Sequence, residues 1–199
     1  MSGKISAYDA RGDQRKVRMK RQIFSELGGF VLYEPALLAR YLDEHGLVGG
    51  DVLAYFTQIE HGGAVTEKGI AVPISGVRSD YYDFAVTVGE ASEEIFAPNE
   101  AKIISRGWVF HSSGTLKIAC IGYFKDMSCI SEQNSLSFRV ERGRYRLEIL
   151  GGYRGANFIG APASHDDTSI LSDTPVFHLR LTPFAEPKFS GDLETSFYF

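Results

Sequence analysis

At 199 residues and a formal net charge of −4, with 44% hydrophobic and 23% charged side chains, the chain has the composition of a globular protein able to bury a core, which excludes a disordered polymer. Its apolar runs, such as FVLYEPALLARYL, are broken by Glu34, Pro35 and Arg40 and fall short of the roughly 20 apolar residues of a membrane helix, so no membrane contact is expected. Cys120 and Cys129 are the two cysteines, too few for a disulfide-stapled scaffold and without the companions of a zinc site.

The N-terminus, MSGKISAYDARGDQRKVRMKRQ, lacks the apolar centre of a secretory signal, so a cytoplasmic location is expected. Residues 1–12 are small, polar and aperiodic and read as a disordered arm ahead of a single α+β domain over 13–199. Residues 1–21 carry seven Lys or Arg against Asp9 and Asp13, a net of +5, which leaves −9 for the rest of the chain. A basic arm can reach a phosphate backbone, but the acidic body would repel one, and a solvated arm is the favoured reading over a nucleic-acid partner.

Between Asp13 and Leu27, the residues Val17, Ile23, Phe24 and Leu27 predict a helix docked by its second half. In EPALLARYLDEHG, Pro35 suits a first helical turn, Leu37, Leu38, Tyr41 and Leu42 form a stripe, and Gly46 ends the helix. GGDVLAYFTQIEHGG fits a helix capped by Asp51 and closed by Gly62 better than a strand, because Thr57 interrupts the alternation a strand would need. From Gly69 onward the period shortens to two. GIAVPISGV contains Pro73 and predicts an edge strand or bulge, and YYDFAVTVGE places Tyr82, Phe84, Val86 and Val88 on one face.

KIISRGWVFHSSGTLKIACIGYF reads as two strands around a Ser-Ser-Gly turn, with Cys120 a small core residue. The next stretch, LSFRVERGRYRLEIL, predicts a hairpin turning at Arg142-Gly143, in which Val140 meets Tyr145, Phe138 meets Leu147 and Leu136 meets Ile149. Its outward face then pairs Glu141 with Arg144 and Ser137 with Glu148, and sets Arg139 opposite Arg146, a like-charge contact that destabilises a sheet by up to about 1 kcal/mol. Mixed charge on an outer strand face is routine, and the sharper reading is a patch whose planar guanidiniums recognise carboxylate or phosphate. Residues 151–175 lack a period, which is uncommon in a compact domain unless the segment is functional or mobile, and VFHLRLTPF forms a last strand. Strands separated by turn signals behind N-terminal helices predict an α+β fold, with the helices packed on an antiparallel sheet or sandwich.

The chemistry-bearing candidates are few. His165, Asp166 and Asp167 are the densest cluster, but neighbours in an extended chain point to opposite sides, so an ordinary polar loop outweighs a metal site. The glycines at 151, 152, 155 and 160 match no phosphate-cradling pattern, and neither Gly-x-Ser-x-Gly nor His-Glu-x-x-His occurs. His178, in HLRL, reads as a hydrogen-bonded structural residue. No catalytic residue, metal ligand or cofactor is expected, and the balance leans against an enzyme.

SSGTLKIACIGYFKDM followed by LSFRVERGRYRLEIL resembles small bacterial cytosolic β-rich proteins of uncharacterised or toxin-immunity type, over about residues 105–150. The shared features are turn and core residues, so the resemblance implies a fold and a non-enzymatic binding role, such as an immunity-type inhibitor, and no site residues. The expected partner is another protein, met through the acidic body or through Arg139, Arg144 and Arg146. The alternative is a small-ligand binder or hydrolase at 151–175, using Arg154, His165, Asp166 and Asp167.

Overall fold

The computed structural model describes residues 18–19, 22–89, 96, 101–153 and 174–199. The expected arm at 1–12 lies outside them. The architecture is a two-sheet sandwich with three helices on one side, an α+β fold. The large sheet runs β1 (Arg18–Met19), β5 (Tyr81–Val88), β10 (Pro175–Pro183), β9 (Gly143–Tyr153) and β6 (Ile103–Ser112), with β2 (Ile23–Phe24) also on β5. The small sheet runs β4 (Ala71–Ser75), β3 (Gly29–Tyr33), β7 (Thr115–Cys120) and β8 (Ser135–Arg139). All pairings are antiparallel except β5 with β10.

The main core lies between the sheets, where Phe30, Ile74, Leu116 and Phe138 of the small sheet share one cluster with Phe84, Phe110, Leu147 and Phe177 of the large one. A second core lies beyond the small sheet. Val31, Tyr33 and Ala119 project from its outer side onto Leu38, Tyr41 and Leu42 of α1 (Pro35–Glu44), together with Val52, Val65 and Phe124. Continuous burial along β3 follows, since both of its faces are covered.

Helix α1 is built as its sequence predicts. Pro35 opens it, the Glu34 carboxylate accepts from Leu37 N at 2.7 Å, and Gly46 leaves it at φ 65°. The second segment is helical too, and Asp51 caps α2 (Val52–Phe56) by accepting from Ala54 N at 2.8 Å. Gly62 does not close it, because the chain re-enters a helix, α3 (Ile59–Glu67), that runs through Gly62 and Gly63. A Cβ at Gly62 would lie 2.2 Å from the Phe56 carbonyl oxygen, so that glycine serves the tight α2–α3 joint. Pro73 lies in β4, which pairs along its length with β3 and on its other side carries an isolated bridge from Ser75 to Ser196, an edge strand of the sheet as expected.

Two expectations are overturned. The described part of 13–27 forms the short strands β1 and β2 and no helix, because Arg18 and Met19 pair with Val86 and Ala85, and Ile23 and Phe24 with Tyr82 and Tyr81, on β5, where an available sheet edge outweighs local helix propensity. The 136–150 hairpin does not form either. β8 pairs with β7 in the small sheet, where Arg139 sits across from Thr115, while β9 pairs with β6 and β10 in the large one. Arg139 therefore does not oppose Arg146, nor Glu141 Arg144, nor Ser137 Glu148. The side-chain alternation survives all the same: Leu136, Phe138, Val140, Tyr145, Leu147 and Ile149 are all buried.

The Ser-Ser-Gly turn makes the opposite crossing, carrying the chain from β6 in the large sheet to β7 in the small one. The two crossings are stitched together, with Val140 N donating to Gly114 O at 3.1 Å and Ser112 Oγ donating to Val140 O at 2.9 Å. Glu34, only 1% exposed, ties this corner to the helices by accepting from Ser113 Oγ at 2.6 Å.

Candidate functional site: a cationic face on the large sheet

Residues alternate along β9, so Leu147 and Ile149 face the core while Arg144, Arg146 and Glu148 point to the outer side of the large sheet. The flanking strands fix what lies beside them. Arg144 has His111 as its partner on β6, Arg146 lies between Val109 and Thr182, and Glu148 is opposite Arg180 of β10.

β6 slips its register between Ser105 and Trp108, and this bulge turns Arg106 toward β9. The bulge depends on Gly107, at φ 85°, where a Cβ would lie 2.7 Å from Ser190. Arg106 Nε donates to Glu148 Oε1 at 2.6 Å, and Arg180 Nη1 donates to Glu148 Oε2 at 3.5 Å. Beside this triad the Arg146 guanidinium lies 3.5 Å over the Phe184 ring, and Phe184 N donates to Arg144 O at 2.9 Å. Among the described residues, four guanidiniums thus share one half of the face with a single carboxylate, in a chain of net charge −4.

Their exposure differs. The Arg106 side chain is 64% accessible and that of Arg180 20%, so Arg106, Arg144 and Arg146 are presented while Arg180 supports from below. Burial, and then the Arg144 charge, hold the His111 imidazole below its ordinary pKa.

The other half of the face is covered: Ala85, Leu150 and Val176 pack with Phe96. His178 is 0% exposed there, with Nε2 3.0 Å from Thr87 Oγ1, and burial followed by the Arg180 charge pushes its pKa down to about 3. It is the hydrogen-bonded structural histidine that its strand position predicts.

Of the sequence-predicted site residues, the structure brings Arg144 and Arg146 together and leaves Arg139 on the other sheet. Arg154, His165, Asp166 and Asp167 lie outside the described residues. Sequence reasoning missed Arg106 and Arg180. Alternation in HLRL puts Arg180 on the face of His178, a usable signal, whereas the bulge at Arg106 leaves no simple trace.

Among the described residues, no group of three or more His, Cys, Asp or Glu side chains is placed to hold a metal ion, and no helix is long and apolar enough to cross a membrane. Cys120 is buried and Cys129 exposed, and both are free.

No family model and no curated protein matches the sequence. Two solved structures resemble the chain. Crocagin biosynthetic gene J is 13% identical with a TM-score of 0.50, over 84% of this chain and 98% of that one. ComJ from Bacillus subtilis, an inhibitor of the DNA-degrading activity of NucA, is 14% identical with a TM-score of 0.42, over 84% and 96%. Both are small bacterial β-rich proteins, as the resemblance over residues 105–150 implies. The likeness is one of fold, and no residue's role is carried over from it.

Proposed function

We propose that the protein works without chemistry of its own, by docking the cationic face of its large sheet on an acidic surface of another protein and occluding it, an immunity-type inhibitor being one concrete form. The observation that carries this reading is the set of Arg106, Arg144 and Arg146 on one sheet face, with Arg146 seated on Phe184 and Arg106 held by Glu148. Planar guanidiniums bind carboxylates through paired hydrogen bonds, and side chains already held lose less freedom on docking. Asp43, Glu44, Asp51, Glu60 and Glu67 on the helical side repel an acidic partner there, which favours docking through the arginine face.

The test is affinity capture from the native cell lysate with wild type and with the folded Arg144→Glu/Arg146→Glu double variant, at low and at raised salt. A protein retained by the wild type, released by salt and absent from the double variant supports the reading. The same proteins held by both baits, or a signal abolished by nuclease treatment, contradict it.

A second reading draws on a cavity of about 320 Å³ between the two described ends of the 151–175 segment, lined by Tyr153 and Pro175 together with Arg78, Asp80, Tyr82 and Phe199. Aromatic walls beside a guanidinium suit a small planar anion, in keeping with a small-ligand binder. Thermal stabilisation by a nucleotide, lost in Arg78→Ala, would favour it; no stabilisation would remove it.

A further inference from the structure

On the opposite side of the molecule a cavity of about 520 Å³ opens between the helices and the C-terminal segment, within the size range of small-molecule sites. Val31 and Ala71 on the outer face of the small sheet line it, with Phe56 and Val65 from α2 and α3, Phe124, and Leu193 from the C-terminal segment. Thr57 and Thr66 contribute hydroxyl-bearing side chains. The charged residues among the described lining are Asp192 and Glu194, both carboxylates. No lysine or arginine of the lining neutralises them.

The mouth is pre-formed. Ser190 N donates to Gly107 O at 2.9 Å and Phe197 N donates to Ser75 O at 2.8 Å, so residues 191–195 form an arch pinned at both ends. Asp192 stiffens the arch, its carboxylate accepting from Glu194 N at 2.9 Å and from Thr195 Oγ1 at 3.3 Å. The sequence also keeps the space open. Gly63 lies inside α3, where glycine costs about 1 kcal/mol relative to alanine, yet a Cβ there would meet nothing nearer than Leu193 Cδ1 at 3.7 Å. Unlike Gly62, Gly63 has no packing reason to be glycine, and a side chain there would narrow the cavity.

We infer that this cavity binds an amphipathic organic cation, an apolar body among Phe56, Ile121, Phe189 and Leu193 with an amine at the Asp192–Glu194 rim. The site is separate from the arginine face, so either can fail without the other.

Trp108, the one tryptophan of the chain, supplies the readout: it packs at 5.8 Å on Phe189, which lines the cavity. The probes are 4-phenylbutylamine and 4-phenylbutyrate, which share an apolar body and differ in charge. In titrations at low salt, the amine is expected to change Trp108 emission saturably and to bind at least ten-fold tighter than the carboxylate. Asp192→Asn/Glu194→Gln should reduce that preference to less than three-fold, and Gly63→Leu should abolish binding of both probes. Should Gly63→Leu fail to fold, Thr57→Phe at the exposed rim narrows the same cavity. Equal binding of amine and carboxylate, no saturable change at millimolar concentration, or wild-type binding by the folded filling variant would each overturn the inference.

Discussion

The outer face of the small sheet carries Val31, Tyr33 and Ala119 and is roofed by three helices, whereas the outer face of the large sheet carries Arg106, Arg144, Arg146 and Arg180 and has no helix of the described residues packed on it. The helical side is acidic, with Asp43, Glu44, Asp51, Glu60 and Glu67 against Arg40 over residues 35–67. Apolar side chains on a sheet must be covered and so commit a face to structure, while a charged face is left free to meet something else. The difference between the two faces separates what holds this fold from what it offers to a partner.

Truncation should expose that difference most strongly on the covered side. Leu38 of α1, 0% exposed, is expected to cost about 2–5 kcal/mol on mutation to alanine, read from chemical denaturation with an unchanged slope. A loss below 1 kcal/mol would mean that the helical roof contributes little to the fold.

The second effect tests the buried half of the large-sheet face. His178 has its folded pKa lowered to about 3, below the usual 6.5, so the unfolded chain takes up a proton first as pH falls. Its contribution to stability is complete above pH 6.5 and is lost on acidification toward pH 3, with a slope of up to about 1.4 kcal/mol per pH unit for one proton. His178→Gln should flatten the stability profile across that window. Parallel profiles for variant and wild type would show that the imidazole does not stay neutral in the folded state.

How far the sequence discloses this arrangement depends on which question is asked of it. Period-two alternation from Leu136 to Ile149 assigns every side chain to the core or to solvent correctly, because either sheet of a sandwich turns its apolar side inward. It does not name the neighbouring strand. A two-residue turn at Arg142-Gly143 and a three-residue crossing between sheets demand the same burial pattern, and the contacts that decide between them, Val140 with Gly114 and Ser112, come from a remote turn. For the same reason Arg144 and Arg146 were readable as a pair, while Arg139 was grouped with them through a pairing that does not exist. The cavity was out of reach, since its lining runs from Val31 to Glu194.

Smaller effects sharpen the contrast between the faces. Arg146→Ala removes a cation–π contact with Phe184 at a site open to solvent and should cost about 0.5–1 kcal/mol of stability, although it strips a guanidinium from the proposed docking face. Arg40→Ala, on the helical side, breaks an exposed pair with Glu44 at 3.5 Å and should change stability by less than about 0.5 kcal/mol. A loss well above about 1 kcal/mol in Arg146→Ala would instead mark the arginine face as a structural one.

Arginine-selective labelling, read residue by residue with mass spectrometry on the protein alone and on its captured complex, addresses the proposed docking face most directly. Arg106, Arg144 and Arg146 should lose reactivity in the complex while Arg40 and Arg78 keep theirs. Unchanged labelling of the three, with protection at Arg40 or Arg78, would show that the partner docks on another side of the molecule.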